Sequence, residues 1–257
     1  MNAIELSRVC KTYNTKMKPI EALKEISFSV RENEFIGIIG SSGCGKTTLL
    51  KIIGGLLKPT YGEVLIRGKA VEEARKDRDF GFLFQNPILL PWRTVLGNVC
   101  LPLEIIGFNS SSKEKINNHI MKLLELVGLV DFKDNYPHEL SGGMQQKVAI
   151  ARALSFNPSI LLMDEPFGAL DEITRDQMNL ELLRIWENAK NTILFVTHSI
   201  REAILLSDKI VVLSKRPAEI VDVLQVDIPR PRNTELRYTD EFRRLSQKAH
   251  RLLDVVK

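Results

Sequence analysis

Two stretches near the N-terminus, AIELSRVCKTY (3–13) and ALKEISFSV (22–30), alternate apolar and polar residues, the period of strands covered on one face. EFIGIIG (34–40) is almost wholly apolar, as a strand buried on both faces of a parallel sheet must be. Apolar positions then recur at helical spacing, at Leu49, Leu50, Ile52, Ile53 and Leu56, until KPTYGE breaks the run. EVLIRG and FGFLFQ predict two further strands. SILLMD, TILFVTH and KIVVLS predict three more, the first two each followed by a helix. This alternation predicts an α/β fold with a doubly wound, mostly parallel sheet. Residues 88–155 have a helical texture: Ser111 and Glu114 form a capping box, and Ile116, Ile120, Leu123, Leu124 and Val127 keep helical spacing until Gly128. Near the C-terminus, VDIPRPRN (226–233) predicts a proline-rich link without helix. Beyond it, TDEFRRLSQKAHRLLDVV predicts an amphipathic helix with Phe242, Leu245, Ala249, Leu252, Leu253 and Val256 on one side. The expectation is a single domain over 1–257, with a helical insertion at 88–155 and a C-terminal linker and helix at 227–257.

Composition narrows the class. The apolar and charged fractions, 44% and 26% of 257 residues, are those of an ordinary globular protein. A net charge of +4 is too weak to argue for nucleic acid as a partner. No run approaches the roughly 18–20 apolar residues of a membrane-spanning helix. The N-terminus lacks the basic-then-apolar layout of a secretion signal. Cys10, Cys44 and Cys100 make no metal pattern, and their odd number suits a reducing compartment. These features predict a cytosolic chain.

Chemistry enters with GSSGCGKTT (40–48), at the seam between a buried strand and a helix. Gly40, four intervening residues, then Gly45, Lys46 and Thr47 match the P-loop pattern in the strand–loop–helix setting it requires. Backbone N–H groups of Gly40, Ser41, Ser42, Gly43, Cys44, Gly45 and the helix start through Thr48 would converge on phosphate oxygens. Lys46 would reach the β- and γ-phosphates, and the Thr47 hydroxyl would hold Mg²⁺. Cys44 fits a small filler; a helix N-terminus and Lys46 nearby could also make it reactive, in which case alkylation blocks nucleotide binding and ATP protects. Asp164 and Glu165 end the strand SILLMD, where open α/β sheets place their ligand chemistry. Asp164 suits the Walker B role of holding Mg²⁺, and Glu165 suits orienting and deprotonating water. A second anion-ready helix start follows from ELSGGMQQKVAIARALSFNP: Ser141, Gly142 and Gly143 open a helix running to about Phe156. Two such starts in one chain make sense if each triphosphate is gripped by two chains.

The cradle, LSGGM, LLMDEP, GALD and VTH, in this order, resemble an ABC-type ATPase cassette over about residues 4–215. The resemblance implies a P-loop core with an antiparallel β subdomain and a helical insertion, and a head-to-tail dimer. In that dimer, the cradle of one chain and the LSGGM helix of the other clamp ATP. It implies further roles by motif position. Gln85 resembles the Q-loop glutamine, contacting Mg²⁺ or the attacking water. Asp171 resembles the D-loop aspartate that crosses the dimer interface, although Gly168 replaces the usual Ser. His198 resembles the switch histidine on the γ-phosphate, and Tyr13 stands where an aromatic stacks on adenine. Met144 replaces the commoner Gln of the signature, away from the phosphate-facing groups.

NPILLPWRTVLGNVCLPLE (86–104) crowds apolar residues directly after Gln85, which suits a groove for a partner helix or packing between subdomains, or each for different residues. In the resembled family this region receives the coupling helix of an integral membrane permease. MDEPFGALDEITR, LPWRTVLGNV, REAILLSDKIVVLSKRPAEI and YTDEFRRLSQ look most like the nitrate/sulfonate/taurine importer group. That implies an ATPase on the cytoplasmic face of the membrane, working with a second cassette, permease subunits and, indirectly, an extracytoplasmic solute-binding protein. Alternatives are the ATPase of an exporter, a soluble non-transport ABC protein, or a P-loop kinase, which would have no use for LSGGM.

Overall fold

The computed structural model describes residues 1–16, 18–107 and 113–255. Among these, two sheets carry the chain. β1 (Asn2–Tyr13), β2 (Ile20–Arg31), β4 (Tyr61–Ile66) and the two-residue β5 (Lys69–Ala70) form an antiparallel sheet in the order β2-β1-β4-β5. The other sheet contains β3 (Phe35–Ile39), β6 (Phe80–Leu83), β7 (Ile160–Asp164), β8 (Thr192–Val196), β9 (Lys209–Leu213) and β10 (Ile220–Gln225), ordered β10-β9-β3-β8-β7-β6. Its pairings are parallel except β9 with β10. Every residue of β3, β7 and β8 is buried, because helices or the second sheet cover both faces. Parallel strands share one carboxyl edge, so the segments that leave β3, β6, β7 and β8 emerge on the same side.

Between the sheets, α1 (Lys46–Ile53) buries Leu49, Leu50, Ile52 and Ile53 in a core shared with β1, β2 and β3. It stops at Gly54, earlier than the apolar spacing through Leu56 predicts. The helical segment is α3 (Val95–Ile106), α4 (Lys113–Leu126) and α5 (Gly142–Leu154), joined in part by short 3₁₀ turns. Residues 86–94 precede it as loop, and Thr94 caps α3 by accepting from the Gly97 amide. The expected Ser111–Glu114 capping box falls partly outside the described residues, as does Val256. α6 (Glu172–Ala189) and α7 (Ile200–Leu206) follow β7 and β8. Among the elements without a sequence signal are β5, only two residues long, α2 (Val71–Lys76), too short for a period, and β10, whose residues are half-buried rather than alternating.

The C-terminal link does more than connect. Arg232, 6% exposed, donates to the carbonyls of Ile204, Leu205 and Ser207 at 3.1, 3.2 and 2.8 Å, capping the end of α7. It also donates to Val226 and Ile228 in its own segment. Burial pulls its guanidinium down to about 10, still well above neutrality, so the charge stays. Arg230 binds Asp208 and the Leu206 carbonyl and lies over the Trp186 ring. The terminal helix α8 (Asp240–Val255) then lays Phe242, Leu245 and Ala249 against Ile200, Ala203 and Ile204 of α7. Arg232→Ala orphans those helix-end carbonyls and is expected to lower stability by about 2–3 kcal/mol, read as a shift in urea midpoint.

Candidate functional site

The cradle is built by close approach. Gly40 leaves β3 where an added Cβ would sit 2.8 Å from Cys44 Sγ and 3.2 Å from the Leu213 carbonyl. Gly45 has φ +133°, and a Cβ there would press within 2.9 Å of the Ala22 carbonyl. Only glycine fits both positions, which is why the loop curls tightly over the start of α1. Lys46, 5% exposed, folds under this curl. Its Nζ donates to the Gly40 and Ser41 carbonyls at 2.9 and 3.1 Å and lies 3.8 Å from Glu165 Oε1. Arg216, a residue without a sequence signal, donates to the Gly43 carbonyl from the far side. Ser41, Ser42 and Gly43 are exposed.

Cys44 departs from the reactive-thiol reading. It is 2% exposed and packs in the apolar core with Ile38 and Leu49, so its thiol faces away from solvent. Only its backbone belongs to the loop, its amide donating to the Ser41 carbonyl. Alkylation of the folded protein has no access to it.

The carboxylates meet the cradle at the sheet edge. Thr47 Oγ1 donates to Asp164 Oδ1 at 3.0 Å. Burial pushes the Asp164 carboxyl above its usual range, while the Thr47 hydrogen bond pulls the other way. A hydroxyl and a carboxylate at this separation form an oxygen pair suited to a hard divalent cation. Glu165, with φ +45°, turns away from the strand. Its Oε2 lies 3.2 Å from His198 Nδ1, two residues beyond the end of β8. Gln85, exposed and two residues beyond β6, brings its amide nitrogen to the same corner. A Cβ on Gly168 would stand 3.5 Å from Gln85 Nε2 and 3.7 Å from Glu165 Oε2. A cavity of about 260 Å³ opens between residues 40–42 and His198, with Ile200, Leu213 and Leu253 on its walls. Tyr13, at the end of β1, places its hydroxyl 3.2 Å from Thr48 Oγ1, and its ring is 37% exposed beside the first turn of α1.

The fit to a magnesium triphosphate rests on this geometry. A cradle with no room for a Cβ at Gly40 or Gly45, a buried ammonium and a hydroxyl–carboxylate pair stand together at one sheet edge.

A second set of residues stands apart. Ser141 caps α5 by accepting from the Met144 amide at 3.3 Å, and Ser141 and Gly142 are exposed. Gly143 is buried against α6, where a Cβ would meet Thr174 Cγ2 at 3.0 Å. Asp171 caps α6 by accepting from the Thr174 amide at 3.0 Å, which holds its exposed carboxyl below the usual range. Thus Ser141, Gly142 and Asp171 form one outward-facing patch, with Gly143 packed beneath it. Tyr13, the cradle, Gln85, Asp164, Glu165 and His198 form another.

The family model described as ABC transporter matches residues 23–168, more than half the chain and both the cradle and the signature. The chain belongs to the ABC transporter family. The cassette is 43% identical over 231 residues to the nitrate import ATP-binding protein NrtD of Synechococcus elongatus, covering 88% of this chain and 82% of that one. It is 42% identical over 231 residues to the aliphatic sulfonates import ATP-binding protein SsuB of Bacillus thuringiensis, covering 90% and 88%. Among solved structures it resembles the dimeric ATP-binding cassette MJ0796 in a post-hydrolysis state with ADP and Pi. The TM-score is 0.77 at 36% identity, over 88% of this chain and all of that one. The cassette is therefore an ATP-binding subunit of the transport-ATPase class, and its two-sheet, helix-inserted fold is that of its relatives.

One apolar feature completes the surface. A cavity of about 550 Å³ lies beside Gln85, lined by Phe80, Phe82, Phe84, Ile88, Leu90 and Ile105 among others. Arg152 of α5 donates to the Pro87 and Ile88 carbonyls at 2.7 and 2.9 Å, tying the signature helix to the groove wall. No helix among the described residues is long and apolar enough to cross a membrane.

Proposed function

We propose that the cassette hydrolyses ATP to drive a membrane importer of a small anion such as nitrate, a sulfonate or taurine. The observation that carries the mechanism is the division of the site into two outward patches. Each patch has groups for phosphate, and neither is complete. Two chains placed head to tail would set the Ser141 hydroxyl and the exposed amides of α5 against a triphosphate seated in the other chain's cradle. In each half, Lys46 and the loop amides bind the phosphates. Thr47, Asp164 and Gln85 would hold Mg²⁺, which neutralises phosphate charge when bound. Glu165 accepts the proton of the attacking water, and His198, 3.2 Å from it, keeps that carboxylate oriented and contacts the γ-phosphate. Tyr13 offers its exposed ring face to the adenine.

The groove beside Gln85 supports the coupling. Its aromatic and aliphatic lining and the exposure of Ile88, Trp92 and Ile105 (60%, 71% and 77%) suit the apolar face of a helix. We assign it to a cytoplasmic helix of integral permease subunits, which places the cassette peripherally on the cytoplasmic face of the membrane. An extracytoplasmic solute-binding protein acts only through those subunits. The nitrate and sulfonate relatives are the support for the class of cargo.

Ile105→Glu tests the assignment, since the exposed site imposes no folding cost. ATP turnover of the isolated cassette is expected to stay within about twofold. Co-purification with the permease, and uptake of nitrate or an alkanesulfonate by cells carrying the variant, are expected to be lost. Uptake equal to the unsubstituted protein overturns the groove assignment.

A further inference from the structure

Glu202 is a buried carboxylate that the chemistry above leaves unused. It lies in α7, 7% exposed, and its partners come from two other segments. Thr197 donates its hydroxyl to Glu202 Oε2. Arg175 of α6 brings Nε to 3.6 Å from Oε1, and the buried Asn179 side chain lies beside the carboxylate. The two ends of this cluster matter most. Arg175 also donates to the Phe167 carbonyl at 3.2 Å and the Leu170 carbonyl at 2.6 Å, so its guanidinium grips the loop that runs from Glu165 to Asp171. Thr197 grips the other side. Its amide donates to the Ile38 carbonyl in β3 at 3.2 Å, and its hydroxyl oxygen accepts from the Ser199 amide at 3.0 Å. Residues on both flanks of His198 are therefore pinned to Glu202, and Glu202 to the loop ending in Asp171.

A buried ion pair is a poor way to gain stability, because desolvation offsets much of its attraction, yet losing one member is costly. Its distinctive property is geometric. The rigid guanidinium fork fixes the separation of whatever it binds. Asn179, 1% exposed, keeps its Oδ1 without a hydrogen-bond partner, an acceptor held in reserve beside the pair.

We infer that Arg175 and Glu202 are positioning residues that keep the His198 imidazole in register with the Asp171 loop. A movement of Asp171 in the dimer interface is thereby passed to the phosphate sensor. The inference rests on the two-chain reading above and assigns the path by which dimer contact reaches the reacting end of the nucleotide. Neither side chain touches the nucleotide; both act through His198.

Glu202→Gln keeps the side-chain shape and the acceptor for Thr197 but removes the charge that faces Arg175. Its kcat is expected to fall about tenfold with the Kd for ATP unchanged within about twofold. The double variant Arg175→Gln with Glu202→Gln is expected to be no slower than the slower single variant, the non-additivity of one connected unit. Melting temperatures measured alongside separate folding from function. A kcat equal to the unsubstituted protein overturns the inference, as do losses that track ATP affinity or melting temperature, or additive losses in the double variant. The unsubstituted protein divides the two readings. If it fails to hydrolyse ATP, the proposed function falls and takes the inference with it; if it hydrolyses ATP and the Glu202→Gln variant matches it, only the inference falls.

Discussion

Glu165→Gln is expected to lower ATP turnover by about a thousandfold, within the span seen for removal of a general base, while ATP binding survives. The substitution is narrow in what it changes. Glu165 sits at φ +45° immediately after β7, a backbone setting that Gln occupies at the same cost, and the two side chains have the same reach. What goes is the proton acceptor and the negative charge that faces Lys46 at 3.8 Å and His198 at 3.2 Å. Less negative charge beside a bound triphosphate favours retention of the nucleotide, so the chain is expected to stay paired once ATP is bound. Single-turnover phosphate release and size-exclusion chromatography with ATP or ADP check both halves. Sustained turnover by this variant removes Glu165 as the base. An ATP-loaded variant that remains a monomer removes the two-chain arrangement instead.

Lys46→Ala acts one step earlier, on binding. The ammonium is the buried cation under the loop, within hydrogen-bond distance of the Gly40 and Ser41 carbonyls. Its loss is expected to weaken ATP by about a hundredfold, about 2.7 kcal/mol at 25 °C, a size in keeping with a charge-assisted contact in a sheltered site. Titration with a fluorescent ATP analogue measures it. Lys46→Met serves as the packing control, since it restores the apolar stem without the charge. Affinity recovered by Met assigns the effect to loop packing; affinity lost in both assigns it to the charge. Unchanged affinity in the Ala variant refutes the role outright.

What the sequence made legible follows from distance along the chain. The cradle is nine consecutive residues, GSSGCGKTT, between a wholly apolar strand and a periodic helix, so local pattern alone located it. Ser141 was legible for the same reason, since it opens a helix and helix starts have a short-range signature; Asp171 was reached through the resemblance of GALD, and its capping of α6 is seen only in the fold. The sheet was readable because buried parallel strands are apolar without interruption. The contacts that fix the site's geometry were not readable. Arg175 meets Glu202, Arg232 meets Ile204, and Arg216 meets Gly43 across long separations in sequence, and a buried Arg looks like any surface Arg until its partners are folded around it. Cys44 was legible as a small filler, and its neighbours in space, Leu and Ile, bear that reading out over the reactive alternative that Lys46 nearby suggested. β10 and α2 escaped because an edge strand is half-wet and a six-residue helix completes fewer than two turns.

The Arg152 contact has a further bearing on the assembly. α5 has 13 residues, a rod of about 20 Å at about 1.5 Å per residue, with Ser141 at one tip and Arg152 near the other. Under the two-chain arrangement, the Ser141 tip senses the nucleotide in the opposite cradle, whereas the Arg152 tip is bolted to the wall of its own groove. The wiring of such an assembly would be crossed: each permease contact would listen to the fuel seated mainly in the neighbouring chain, and two unequal cradles would speak to opposite halves of the pore.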